Sequence, residues 1–152
     1  MSRELIERLY AALDSGDGER MAACYIPDAR FRDPAFGELR GTQVGAMWRM
    51  LTGRASDLRV ELAEHDGDEQ AGTARWIAHY TFATGRSVVN DVRASFRFAD
   101  GLIAEHEDRF NFYAWSRQAL GPAGLVLGWT PILPAVVRRR ARGDLKRFMA
   151  GE

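Results

Sequence analysis

YIPDARFRDPAFGELRG, residues 25–41, decides how this chain is read, because it brings one carboxylate to the end of an alternating strand. Ala29, Phe31 and Asp33 share one face of an extended segment, while Arg30 and Arg32 point the other way. Pro34 biases Asp33 toward an extended conformation and ends the ladder there. An acid on the same face as Phe31 is aimed at the core. Buried carboxylates are costly unless paired or protonated, so Asp33 is expected to have a partner or a task.

On the N-terminal side, Ser2 is placed to cap a helix whose apolar positions Leu5, Ile6, Leu9, Ala12 and Leu13 follow the helical period. Ser15-Gly16-Asp17-Gly18 ends it, and residues 19–25 read as a second short helix. On the C-terminal side, Gly41-Thr42 opens a third helix to about Gly53, with Val44, Met47, Trp48 and Leu51 on one face. From Asp57 the texture becomes that of strands. Leu58, Val60 and Leu62 alternate with charges, and Asp66-Gly67-Asp68 turns the chain. Residues 71–83 and 87–98 read as long strands joined by Thr84-Gly85-Arg86, and Asp100-Gly101 is a hairpin signal before 102–112. Helices followed by a meander predict an α+β fold, with the helices on one face of a curved sheet.

The last forty residues have another pattern. Residues 113–120 read as a helix stopped by Gly121-Pro122, and Leu125, Val126, Leu127, Trp129, Ile132, Leu133, Val136 and Val137 lead into a basic stretch at 138–148. The division is therefore a domain over 1–112 and a C-terminal helical extension over 113–152, one domain overall. The extension either closes the open end of the sheet, forms a dimer interface, or lies as a basic amphipathic segment on an anionic membrane.

A chain of 152 residues suggests one domain that buries roughly 70% of its unfolded surface. Twenty-one basic residues balance 21 acidic ones, so no global field argues for nucleic acid. The balance hides a tail of +4 from Arg138 onward against −4 in the remainder. A single cysteine, Cys24, excludes an intrachain disulfide and a cysteine metal cluster, and its apolar neighbours predict a buried structural thiol. The charged N-terminus lacks the apolar stretch of a signal peptide, and the apolar run at 124–137 is broken by Pro131 and Pro134. A cytoplasmic protein is the expectation.

The order of elements and four stretches, LYAALDSGD, YIPDARFRDP with ELRG, GRSVVNDVRASFRFADG and IAEHEDRF, resemble the nuclear transport factor 2-like superfamily. The nearest branches are the ketosteroid isomerase and SnoaL-like polyketide cyclase types. The resemblance implies a cone: a curved antiparallel (mixed) sheet wrapped by N-terminal helices around an apolar pocket, often dimeric. Asp33, followed by Pro34, falls on the position of the isomerases' general base. Those enzymes add an oxyanion hole of a tyrosine and a protonated aspartate. Here the tyrosine position holds Leu9, with Tyr10 displaced about 100° round the helix, and the aspartate position holds Ala94. Steroid isomerisation of the usual kind is therefore not expected.

The last strand offers replacements. His106, Asp108, Phe110 and Phe112 share one face, and the two aromatics mark it as the buried one. In SnoaL-like cyclases an aspartate on this strand is the proposed base, so the resemblance makes Asp108 a second candidate. His106 and Asp108 either perform proton transfer or hydrogen-bond each other and seal the core. In the middle hairpin, pairing Thr84 with Ser87 would put His79 and Asn90 into the pocket and Trp76, Tyr80 and Phe82 on an outer, dimer-forming surface with cation–π contacts. A slip of one residue would reverse this. Trp48 is either a pocket wall or core.

The chain is thus expected to be a SnoaL-like enzyme performing acid–base chemistry, of isomerase or cyclase type, on a small hydrophobic carbonyl compound without metal or cofactor. Asp33, Asp108 and His106 are its candidate catalytic residues, with His106 or His79 as donor to an enolate oxygen. Tyr10, Trp48, His79, Asn90 and Phe110 are its candidate ligand contacts. A non-catalytic binding or dimerisation module is the alternative. Epoxide opening, which in limonene epoxide hydrolases pairs two aspartates through an arginine, would have to use Arg75. A homodimer is expected; nucleic acid is not.

Overall fold

The structure, a computed structural model, describes residues 2–152. Helix α1 (Ser2–Asp14) buries Leu5, Ile6, Leu9, Tyr10, Ala12 and Leu13 along its apolar face. Ser2 is already helical, and its hydroxyl donates to the Asp68 carbonyl instead of capping the helix. Asp17 caps α2 (Gly18–Ala22) by accepting from the Arg20 amide. This helix is shorter than the sequence suggested, because the sheet claims the next residues: Ile103 N donates to Cys24 O at 2.8 Å, and Tyr25 opens β1. Cys24 is a buried free thiol.

Strands β1 (Tyr25–Asp33) and β2 (Gly37–Arg40) form a hairpin, and α3 (Thr42–Arg54) crosses back over the sheet. Strands β3 (Arg59–Gly67), β4 (Ala71–Thr81), β5 (Ser87–Ala99) and β6 (Leu102–Arg109) complete a six-stranded sheet in the order β2-β1-β6-β5-β4-β3. Every neighbouring pair is antiparallel except β1 and β6, which are parallel. Register shifts at 25–30, 62–64 and 97–98 break the ladders locally, as bulges do where a sheet bends. Helices α1 and α3 pack on the inner face. The architecture is the expected α+β arrangement, a curved and unclosed mixed sheet with helices against it.

Alternation sets the inner face. Ala29 and Phe31 of β1, Val92, Ala94 and Phe96 of β5, and His106 and Asp108 of β6 are all buried. The β5–β6 turn has Asp100 at φ 54° and Gly101 at φ 77°, the two left-handed residues that a tight two-residue hairpin needs.

The β4–β5 hairpin corrects the preferred register. Thr81, not Thr84, pairs with Ser87, leaving a five-residue loop at 82–86. That loop is held from outside, since Thr84 Oγ1 donates to Ala119 O and Arg86 Nε to Gln118 O. With this pairing Trp76 lies opposite Val92 and Ala78 opposite Asn90 on the inner face. His79 moves outward, between Val89 and Arg59. The aromatic outer surface proposed as a dimer interface therefore does not exist: Trp76 is 8% exposed and packs in the core.

Helices α4 (Phe112–Leu120), α5 (Pro122–Leu127) and α6 (Ile132–Ala150) complete the chain. Helix α6 lies along α3 and buries Leu145. Arg142 Nη1 donates to the carbonyls of Phe36 and Glu38 at 3.0 and 2.7 Å, and Arg49 pairs with Glu152 at 2.7 Å. Among the described residues, no helix is long and apolar enough to cross a membrane.

The register predicts opposite sensitivities at two nearby positions. Trp76→Ala should destabilise the protein by about 3–5 kcal/mol, whereas His79→Ala should stay within about 0.5 kcal/mol of wild type. Urea unfolding of the two variants checks this, and the reverse order would mean that the sheet is paired one residue out.

Candidate functional site

Four side chains from α3, β1 and β6 form one buried hydrogen-bonded chain. Trp48 Nε1 donates to Tyr25 Oη at 3.0 Å, Tyr25 Oη lies 2.8 Å from His106 Nδ1, and His106 Nε2 lies 2.8 Å from Asp108 Oδ1. One assignment of protons satisfies them all: Trp48 N–H to Tyr25, Tyr25 O–H to Nδ1, and Nε2–H to the Asp108 carboxylate. Phe31 and Phe96 flank the imidazole at 5.0 and 4.5 Å between ring centres, and the His106 side chain is fully buried. Burial, then the Asp108 charge, pushes the Tyr25 hydroxyl well above its ordinary pKa, against the opposing effect of the Trp48 hydrogen bond. The Tyr25 proton is thus held on oxygen.

Asp33 sits at the end of β1, just beyond the parallel pairs Phe31↔His106 and Arg32↔Glu107. The same register carries it beside Asp108 on the inner face. Asp33 Oδ1 accepts from the Phe36 amide at 2.6 Å, and the residue stays partly exposed. Burial of its carboxyl pushes the pKa up to about 7. The nearby Asp108 charge adds to the rise, while the Phe36 and Ala35 amides and the Arg138 guanidinium oppose it. Asp33 is therefore close to half ionised at neutral pH, as a general base working there needs to be.

Tyr80 faces the same end of the sheet. Trp115 Nε1 donates to Tyr80 Oη at 2.8 Å, and no acceptor takes the tyrosine's own proton among the described residues. Burial raises its pKa, and the Asp33 charge adds to that. Phe82, Phe110, Phe112, Trp115 and Val88 pack around it as a second apolar cluster. Deeper in, Tyr10 Oη and Trp76 Nε1 are buried without hydrogen-bond partners, their rings 5.3 Å apart.

Of the residues the sequence singled out, the structure brings Asp33, Asp108, His106, Trp48 and Tyr10 to the inner face. Phe110 is partly buried between the two clusters, and Asn90 is partly buried opposite Ala78. His79 is on the other face. Arg75 is too, ion-paired with Asp91 at 2.7 Å, so it does not bridge the two acids as the epoxide-opening reading required. The sequence reading missed Tyr25, assigned to a helix, and Tyr80, placed outside by the register. For Tyr25 a signal was available: it is two residues from Pro27 and in phase with Ala29, Phe31 and Asp33. Two surface depressions, one on the charged outer face of the sheet and one beside Gly41, are lined by neither Asp33 nor Asp108. Among the described residues, no group of three or more His, Cys, Asp or Glu is placed to hold a metal ion.

Residues 6–106 match the SnoaL-like domain family, and the chain belongs to it. Solved structures share the fold at low identity. A Catenulispora acidiphila protein with a ketosteroid isomerase-like fold, bound to trimethylamine, is 16% identical with a TM-score of 0.69, covering 84% of this chain and 98% of its own. An M. tuberculosis LEH-like epoxide hydrolase is 22% identical at TM-score 0.66, covering 82% and 94%. A candidate polyketide cyclase from Xanthomonas campestris pv. campestris is 20% identical at 0.64, covering 76% and 94%. No curated protein matches the chain significantly.

Two outcomes check the electrostatics. Tyr25→Phe strands Trp48 N–H and His106 Nδ1 and should cost about 2–4 kcal/mol, whereas Tyr113→Phe, which loses one exposed bond to Leu125 O, should cost under about 1 kcal/mol. Asp33 binds its proton more tightly folded than unfolded, so its contribution to stability is full below about pH 4 and is lost as pH rises toward about 7. Asp33→Asn should therefore be the more stable protein at pH 8, by at most about 4 kcal/mol, and the advantage should vanish near pH 4. Thermal melts of both proteins across that range would reject the assignment if the two curves ran parallel.

Proposed function

We propose that this SnoaL-like protein is a cofactor-independent acid–base enzyme acting on a small hydrophobic carbonyl compound, with Asp33 as its base. The observation that carries the reading is a carboxyl whose pKa is pushed up to about 7, on a partly exposed residue at the end of an aromatic-lined face. Its charge is felt by Tyr80, a tyrosine whose own proton has no acceptor among the described residues. Asp33 takes a proton from the carbon next to the carbonyl, and the Tyr80 hydroxyl, whose oxygen is already held by Trp115, donates to the oxygen as it gains charge. Returning the proton to another carbon would give isomerisation. Attack of the enolate carbon on a second carbonyl of the same molecule would give cyclisation. His106 has both ring nitrogens occupied, which favours a positioning role for it and for Asp108 over the donor and base roles read from the sequence.

The dense inner face supports a second reading, a non-catalytic cone of the same fold. Phe31, Val92 and His106 are each at most 2% exposed.

Deuterium uptake by aryl ketones and 1,3-diketones, monitored by proton NMR, separates the two. Catalysed exchange should rise with pH through about 7 and fall by about a hundredfold or more in Asp33→Asn, with a smaller loss in Tyr80→Phe. Exchange at the uncatalysed rate throughout the panel, or a rate indifferent to Asp33→Asn, would favour the binding module.

A further inference from the structure

Helix α5 is amphipathic with the faces reversed. Its glycines point at the protein: a Cβ on Gly124 would lie 1.9 Å from Ser116 O, and one on Gly128, just after the helix, 2.2 Å from Ser116 Oγ. That contact turns Leu125 and Val126 of α5 outward, and Trp129, Ile132 and Val136 extend the exposed apolar stretch beyond that helix. Trp129 is 75% exposed, Ile132 66%, Val126 62%, Leu125 56% and Val136 55%. Such a patch on an otherwise charged surface marks a docking site.

Charge identifies the occupant. Ile132, Val136, Arg139 and Arg140 fall on one side of α6, opposite Ala141 and the buried Leu145, so an apolar first turn runs directly into arginines. Arg139 and Arg140 have no ionic partner among the described residues, whereas the tail's two acids are taken, Asp144 by Arg54 and Arg147, and Glu152 by Arg49. A second copy is a poor occupant, since a two-fold contact would set arginines on arginines or on the partner's apolar turn. We propose that residues 125–140 dock the protein on an anionic lipid surface, with Trp129, Ile132 and Val126 at the acyl boundary and Arg139 and Arg140 among the headgroups. Val137, on the next turn, packs into the aromatic cluster around Tyr80, so docking sets the open end of the sheet against the bilayer.

Co-sedimentation of the full chain with phosphatidylcholine vesicles, with and without phosphatidylglycerol, tests this. Binding should require the anionic lipid and weaken in high salt. Arg139→Ser/Arg140→Ser should lower the partition coefficient about thirtyfold, taking about 1 kcal/mol per arginine. Trp129→Ser/Ile132→Ser should abolish penetration, read as loss of quenching by brominated lipid. Equal binding to neutral vesicles, or no binding to either, overturns the proposal. So does a concentration-dependent dimer, seen by analytical ultracentrifugation, that the Trp129/Ile132 variant dissociates, for then a second copy covers the patch.

Discussion

The Tyr25 hydroxyl is the joint on which the inner face depends. It accepts from Trp48 on α3 and reaches His106 on β6, while its own residue begins β1. Three elements far apart in sequence are thereby fixed by two hydrogen bonds in the buried interior. In such surroundings a satisfied polar chain specifies one arrangement, and a broken one costs the full desolvation of each orphan. The chain ends on Asp108, whose imidazole partner is locked between Phe31 and Phe96.

That fixed acid shapes its neighbour. Because β1 and β6 run parallel with Phe31 opposite His106, Asp33 arrives beside Asp108, where a second charge is unwelcome. Partial withdrawal from water adds a larger penalty, and two backbone amides with Arg138 give back only part of it. Two carboxyl groups on one face thus acquire separate tasks, one committed to a histidine and one poised near neutrality. Arg138 comes from α6 and Trp115 from α4, both outside the matched residues 6–106. The extension therefore tunes groups that the shared domain supplies.

The fold was legible because its signals are local and physical. Alternation around Phe31, the helical period of Leu5 to Leu13, and Asp100-Gly101 each reflect a contact or dihedral that the structure contains. The inward aim of Asp33 and the shared inward face of His106 and Asp108 came from period-two reasoning alone, while the hydrogen bond between the latter two was one of two alternatives it left open. The β4–β5 register did not, because it turns on a five-residue loop tied to Ala119 and Gln118, contacts more than thirty residues away. One wrong pairing there exchanged His79 and Arg75 for Trp76 and Tyr80. Tyr25 was missed although it is in phase with Ala29 and Phe31, because its helical neighbours outweighed that signal and the pairing that draws it into the sheet is with the distant Ile103.

The proposed chemistry depends on the protonation of a single side chain, and that is open to direct observation. In full-length protein labelled with carbon-13 at aspartate carboxyls, the resonance absent from Asp33→Asn belongs to Asp33. Tracked against pH, it should titrate with a midpoint at about 7. A midpoint near the ordinary aspartate value of about 4 would mean that Asp33 is fully charged at neutral pH, and would contradict its assignment as the poised base.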